Sequence, residues 1–506
     1  MLFARGALAL VLASAGAACA SESMRPARSF ESDLPATISA SPTPQDEKPQ
    51  DAPAPAPTTA PPEEPAPEPA PEPSTVASDA TTAAVAPPAL SSVFPDWLHG
   101  SLAVRYRGRT NGSDSDHDVG GLLALDVVDP KSPRVSAHLQ ARVDLDLDGH
   151  DDGPFGSLND TYDGALVSKL YLAYADVALG PRPEDSPGFL RIGRQSDPRL
   201  PEVVRLDGVA YSTRPLGKYE VEAGGYVGIP VHLYDSDREG DRAFGTFVEG
   251  LPWKDGRARL DWMHLEDEDV LGEGKDDLIS LALWQQVAER WRLEGSYSHL
   301  EGDPRDLRLR ALYGNPETAT TVRFGFYELL EPQKALVTEL DPFFEQLAEY
   351  EPYREGNVVV SQPLTEHTVL DVGVDARRVS DSGDVGEFNR DWERYYATAT
   401  FSDLTTKGLA LAVTADLWDD DDRDINTFGA DLSYESQKKW KASVGTYYSL
   451  YKYVFLELDE REDVRTYYFR TNYDLSKGAE LELLYELEND DLDTYNTLRL
   501  GARWRF

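Results

Sequence analysis

The sequence has little of what several protein classes require. Its 506 residues include one cysteine, which excludes a disulfide scaffold. It has 49 Lys and Arg residues against 90 Asp and Glu residues, and the formal charge of −41 excludes a nucleic-acid binder that depends on phosphate contacts. The mean hydropathy of −0.47 argues against a bundle of membrane helices. A β-barrel remains compatible with that value, because it hides its apolar face in alternation rather than in runs.

Proline and the large aromatic residues divide the chain near Pro95. Residues 1–95 hold 18 of the 35 prolines but no tyrosine and no tryptophan. Residues 21–95 repeat Pro, Ala, Glu and Thr, so they cannot bury enough apolar surface to fold. They predict a disordered, extended periplasmic linker.

The first 20 residues predict an export signal, with a basic start and an apolar run too short to span a bilayer. Two interpretations of its processing remain open. Signal peptidase would cleave before Ser21, whereas a lipoprotein signal would place a lipid on Cys19.

Residues 96–506 alternate between apolar and polar side chains with period 2. In the segment 134–147, every odd position from Val135 to Leu147 is apolar and every even position is polar. Short turns and longer acidic loops alternate along the chain, as expected for periplasmic turns and external loops. The pattern predicts an all-β fold, a transmembrane antiparallel β-barrel of 22 strands. Eighteen or 20 strands result if weak segments such as 356–361 merge with their neighbours.

The C-terminal segment is the most specific single feature. A terminal aromatic residue on an alternating strand resembles the signal that the outer-membrane barrel assembly machinery reads. The apolar residues of this predicted assembly signal are Leu498, Leu500, Trp504 and Phe506.

The opposite faces of the strands carry charge of both signs and predict a polar, water-filled lumen. The residues expected to line it are Arg191, Arg205, Asp207, Arg259, Asp261, Arg308, Arg310, Arg323, Asp371 and Asp375. In the alternative, these charges only pair with one another inside a plugged barrel. The acidic excess falls largely in the predicted outer loops.

Signatures of catalysis are missing from the sequence. It has no HExxH, GxSxG, Walker or CxxC motif, and its eight histidines are scattered singly. We therefore expect neither an enzyme nor a bound cofactor, and no catalytic or metal-ligating residue.

The segment Leu190 to Gln195, followed by Val204 to Gly208, carries a family resemblance. A strand that ends in Gly-Arg-Gln, a short loop and a strand with Arg-x-Asp-Gly resemble porin-like outer-membrane barrels, including the alginate-export type. The resemblance implies a conduit for hydrophilic solutes or a polysaccharide. Because the predicted lumen is balanced in charge, a neutral or mixed polysaccharide fits better than an anionic one.

The sequence thus predicts a Gram-negative outer-membrane channel for hydrophilic solutes or for export of a secreted polysaccharide. The alternative is an envelope scaffold or anchor, whose arm of residues 21–95 contacts periplasmic or inner-membrane partners. Outer-membrane lipids, lipopolysaccharide and the assembly machinery are the other expected partners. A TonB-dependent transporter is disfavoured, because residues 21–95 cannot supply a folded plug.

Overall fold

The fold is a single antiparallel sheet of 22 strands that closes on itself. This computed structural model describes residues 94–506, apart from residue 113 and the segments 129–133, 149–165, 181–184, 197–204, 232–240, 270–271, 333–350, 381–390, 421–422, 437–438, 455–458 and 491–493. The predicted export signal and nearly all of the predicted linker lie outside the described residues. Among the described residues, no helix is long and apolar enough to cross a bilayer.

The first eleven strands are β1 (Leu98–Asn111), β2 (Asp114–Val128), β3 (Val135–Asp146), β4 (Leu166–Ala178), β5 (Gly188–Ser196), β6 (Arg205–Thr213), β7 (Glu222–Pro230), β8 (Arg242–Gly250), β9 (Gly256–Asp269), β10 (Gly272–Val287) and β11 (Trp291–Leu300). The other eleven are β12 (Asp303–Asn315), β13 (Thr320–Leu329), β14 (Tyr353–Thr365), β15 (Thr368–Val379), β16 (Trp392–Phe401), β17 (Leu409–Asp420), β18 (Arg423–Glu435), β19 (Trp440–Val454), β20 (Asp459–Ser476), β21 (Ala479–Asn489) and β22 (Thr494–Arg505).

Each strand pairs with the next along the chain, and β1 pairs with β22 to close the ring. The closing register runs from Ser101 opposite Arg505 to Asn111 opposite Tyr495. Closure of the ring pairs the first and last strands, which would otherwise be free sheet edges facing the bilayer. The predicted fold class and the count of 22 strands are confirmed. The weak segment 356–361 is part of a full strand, β14.

The two chain ends of the barrel meet at the rim that carries the short turns. The main chain of Phe506 exchanges two hydrogen bonds with that of Gly100, at 2.9 and 3.0 Å. The ring of Phe94 stacks on the ring of Phe506, with centroids 4.2 Å apart, and lies 5.5 Å from Trp504. Of the predicted assembly-signal residues, Leu498, Leu500 and Trp504 lie on β22, and Phe506 directly follows it with Phe94 packed against its ring.

Glycines opposite aromatic rings shape the inner wall. Gly245 faces Tyr226 on β7, and an added Cβ atom would overlap the Tyr226 hydroxyl. The rings of Tyr396 and Tyr468 lie in the same way over Gly373 and Gly445. Glycine is required at these positions because the ring occupies the space of a side chain.

Candidate functional site: the lumen wall

Strand register assigns each side chain to the outside or the inside of the barrel. Residues directly opposite each other on paired strands share a face, and the exposed apolar side chains mark the outer one. On β1 and β22 the outer face carries Leu102, Val104 and Leu500, while Arg105, Arg107 and Arg499 lie on the other face. The same division holds along most of the ring, so the outside is mainly apolar and the inside mainly charged.

The outer face carries exposed aromatic residues at one rim and along the strands. At the rim with the short turns, Trp253, Trp291, Trp440 and Tyr473 are all exposed. An apolar outer belt flanked by aromatic residues, around a polar interior, is the architecture of Gram-negative outer-membrane barrels. The chain is therefore an outer-membrane β-barrel.

Arg259 and Asp261 lie side by side on the inner face of β9. Both are buried, with 2% and 4% of their surface exposed. The Arg259 guanidinium donates to both oxygens of Asp261 at 2.7 to 3.0 Å and to Glu249 on β8 at 3.3 Å. It also lies 4.2 Å from the ring centre of Phe247. The two predicted lumen residues therefore pair with each other within a buried cluster of the barrel wall.

Asp371 and Asp375 lie on the inner face of β15. The guanidinium of Arg394, on β16, donates to both oxygens of Asp416 on β17, at 2.7 and 3.1 Å. The same guanidinium lies 3.7 Å from Asp375, so one buried cation serves two buried carboxylates. Asp371 lies opposite Thr398, whose hydroxyl is 2.7 Å from that of Thr414.

Arg308, Arg310 and Arg323 lie together on the inner face of β12 and β13. Arg308 donates to Asp306 at 2.8 and 3.0 Å, and Arg310 lies 3.8 Å from Glu294. Arg323 is exposed although it faces inward, opposite Leu312. Among the described residues, nothing covers this guanidinium on the inner face.

Arg191 lies on the inner face of β5, where it donates to Asp176 at 2.7 and 2.9 Å and lies over the ring of Tyr174. Arg205 and Asp207 differ from expectation. Asp207 pairs with Arg194 at 2.7 Å and shares a face with the exposed Val209, the outer one. By alternation Arg205 belongs to the same face, and its guanidinium lies 5.5 Å from the ring of Tyr171.

The reason for this difference is an apolar cluster on the inner wall that sequence reasoning missed. Its buried members are Leu206, Ala243, Met263, Leu265, Leu278 and Leu300. The sequence pattern assigned every apolar residue to the outer face. On β6 this assignment exchanged the two faces, so Leu206 was expected outside and Asp207 inside. A signal was present in the segment 260–265, where Leu260 and Trp262 occupy one phase and Met263 and Leu265 the other. Apolar residues in both phases indicate a strand covered on both faces.

The exposure of inward charged side chains varies widely within each sign of charge. The inward aspartates Asp261, Asp306, Asp375 and Asp416 are each 2 to 4% exposed. By contrast, the inward Arg323 and Arg470 are exposed, and the Arg308 side chain is 43% exposed. The inward Arg259 and Arg394 are buried, at 2% and 3% exposure, and the side chain of the inward Glu482 is 38% exposed. The exposed charged side chains of the inner face therefore include both signs, with Arg323 and Arg470 among the cations.

In the part of the chain that the structure describes, no group of three or more His, Cys, Asp and Glu side chains could hold a metal ion. The interactions on the inner wall are ion pairs, hydrogen bonds and stacked rings, and they suit a surface that contacts water and solutes.

No family model matches the chain, and no curated protein sequence matches it. Distant similarity exists to solved outer-membrane proteins. OccK3 (OpdO) of Pseudomonas aeruginosa is 11% identical over 82% of this chain and 97% of its own, with a TM-score of 0.38. A BenF-like porin of Pseudomonas fluorescens Pf-5 is 10% identical over 81% and 98%, with a TM-score of 0.40. OpdK of Pseudomonas aeruginosa, solved with vanillate, is 12% identical over 81% and 98%, with a TM-score of 0.41. These values are too low to assign a solute.

Proposed function

We propose that the barrel is a passive outer-membrane channel for small hydrophilic solutes and that it favours anions. The observation that supports this proposal is the pair of exposed arginines on the inner face, Arg323 and Arg470. A wall of this kind concentrates anions near the exposed cations, since the field of a narrow polar conduit is focused by its low-dielectric surroundings.

The circumference of the ring allows such a passage. Twenty-two strands about 4.8 Å apart, tilted by about 40°, close into a ring roughly 40 Å across between backbones. Barrels with 16 to 18 strands already leave an aqueous channel. The inner wall is thus wide enough to hold water between its side chains.

Planar-bilayer recording tests the proposal. We expect discrete conductance steps and, in a KCl gradient, a reversal potential of the sign that marks chloride preference. Replacement of both exposed cations, Arg323→Gln with Arg470→Gln, removes two lumen charges and should lower the chloride-to-potassium permeability ratio roughly twofold. The matched control is Arg290→Gln. Arg290, in the turn between β10 and β11, pairs with Glu317, in the turn between β12 and β13, so its charge is outside the lumen.

Two results would contradict the proposal in different ways. A protein that inserts but never conducts would favour the envelope scaffold. A potassium preference in the unmodified protein would refute the anion preference while leaving the channel intact. Export of a polysaccharide, and contacts with lipopolysaccharide, the assembly machinery or inner-membrane partners, stay predictions, because the described residues do not distinguish them.

A further inference from the structure

The barrel wall is split between β18 and β19. The two strands pair from Glu435 opposite Lys441 to Ala430 opposite Thr446, and among their described residues the register stops there. Both strands continue beyond this point. Residues 423–429 of β18 stay paired with β17 as far as Arg423 opposite Asp420. Most of residues 447–454 of β19 stay paired with β20, as far as Val454 opposite Asp459. The gap is therefore an opening between two ordered strands.

The part of the split nearest Ala430 and Thr446 lies at the depth of the apolar belt. Phe428 is 61% exposed and Tyr467 is 50% exposed, both on the outer face. Leu417, opposite Asn426, is exposed on the same face. Open strand edges are not tolerated against hydrocarbon, except where protein covers them or where they line a cavity. Something must therefore replace the missing ladder.

Two side chains fill the split. Arg465, on β20, reaches past β19 and donates to the main-chain oxygen of Phe428 and to the hydroxyl of Thr427. Its guanidinium lies 5.3 Å from the ring centres of both Phe428 and Tyr448. The hydroxyl of Tyr448 in turn donates to Asp463, which has a left-handed backbone with φ of 56°. We name Arg465, Tyr448 and Asp463 the latch.

The latch joins the outer face to an apolar cluster on the inner face. Trp392 and Trp418 are buried there, with ring centroids 5.7 Å apart. Ile425 and Tyr448 both pack against this pair. Tyr448 has the outward phase of the exposed Val444, yet its ring contacts an inner cluster. The ring thus passes through the wall where β18 and β19 part.

We propose that the β18–β19 split is a lateral passage, closed by the latch, through which small amphipathic anions move between the lumen and the outer leaflet. The route is lined by Trp418, Ile425 and Phe428, which suits an aromatic or alkyl portion. The guanidinium of Arg465 at the opening suits an anionic head. Among the described residues the latch side chains bridge the split, so opening breaks the hydrogen bonds of the latch and leaves both strands paired on their other flank. The inference rests on the proposed function, because the solute needs an open lumen.

Proteoliposomes with trapped albumin test the passage. The probe is 1-anilinonaphthalene-8-sulfonate, a permanently charged aromatic anion whose fluorescence rises when it binds albumin inside the vesicle. We expect Arg465→Gln to raise the rate of probe influx roughly tenfold, since a charge-assisted hydrogen bond is lost. Arabinose influx, measured by vesicle swelling, should stay unchanged because sugar uses the lumen alone.

A reversible lock makes the test sharper. The double variant Thr427→Cys with Arg465→Cys can be bridged by a bifunctional methanethiosulfonate with the reach of an arginine side chain. Bridging should return probe influx to the unmodified level or below, and reduction should restore the fast rate. The matched control is Val444→Cys with Phe469→Cys. These two residues lie opposite each other on β19 and β20, in the part of β19 that also pairs with β18. Bridging that pair should change nothing.

The outcomes separate the two proposals. If arabinose enters, but the rate of probe influx changes neither with Arg465→Gln nor with the bridge, the lateral passage alone is refuted. No influx of either solute refutes the channel and the passage together. Heat-modifiable migration on a gel shows that each variant is folded, and the reduced double variant is its own control.

Discussion

Arg394 is the buried cation whose removal should cost the barrel most. It is 3% exposed, binds both oxygens of Asp416 and lies 3.7 Å from Asp375. Its guanidinium also lies within 5.0 Å of the ring centres of Tyr396 and Trp418. Arg394→Met keeps much of the volume but leaves two buried carboxylates without their cation. Breaking a buried ion pair from one side costs about 3 to 5 kcal/mol, so we expect a loss of that size in unfolding free energy.

Urea unfolding of the barrel in liposomes, followed by tryptophan fluorescence, measures this loss. The triple variant Asp375→Asn, Arg394→Met, Asp416→Asn removes the stranded charges and should recover most of the stability. Arg290→Met is the matched control, because its partner Glu317 is 76% exposed and a surface pair contributes less than about 1 kcal/mol. A loss below about 1 kcal/mol for Arg394→Met would mean that water already solvates both carboxylates. That result would refute the buried network.

Two further changes probe the wall and its closure. Gly245→Ala should lower the unfolding free energy by about 1 to 3 kcal/mol, because its Cβ would overlap the Tyr226 hydroxyl. The control Gly314→Ala meets nothing within 4 Å and should leave the unfolding free energy unchanged in the same urea assay. Phe94→Ala removes the ring stacked on Phe506 and should destabilise the closed ring by about 1 kcal/mol, seen as a lower melting temperature of the heat-modifiable band; an unchanged temperature would show that the stacking does not stabilise closure.

The strand count was predictable because each strand carries its own signal. Alternation with period 2 fixes the strand, and short turns such as the one around Trp253 fix where it reverses. Neither signal needs knowledge of a distant residue. The closing pair β1 and β22 follows from the same reasoning, because a closed ring leaves only the first and last strands to meet.

The faces were predictable only where one phase is apolar. Arg259 and Asp261 alternate with exposed Leu260, and the structure places them on the inner face. Around Leu206 the apolar residues occupy the phase that points inward, so the alternation rule assigns the two faces of that strand the wrong way round. Pairing partners decide the outcome, since Leu206 packs with Met263 and Leu278 from strands far along the chain.

The split between β18 and β19 could not be predicted from local sequence patterns. Arg465 stands in the outward phase with Tyr467 and Phe469, and a charge on the lipid face is costly enough to require a partner. The sequence therefore holds a signal that something unusual occurs at Arg465. It cannot name the partner, because Phe428 lies 37 residues away and the intervening strand would normally separate them. The two come together because the described residues of β18 and β19 do not pair beyond Ala430 and Thr446. This gap is not visible in the separate sequence pattern of either strand.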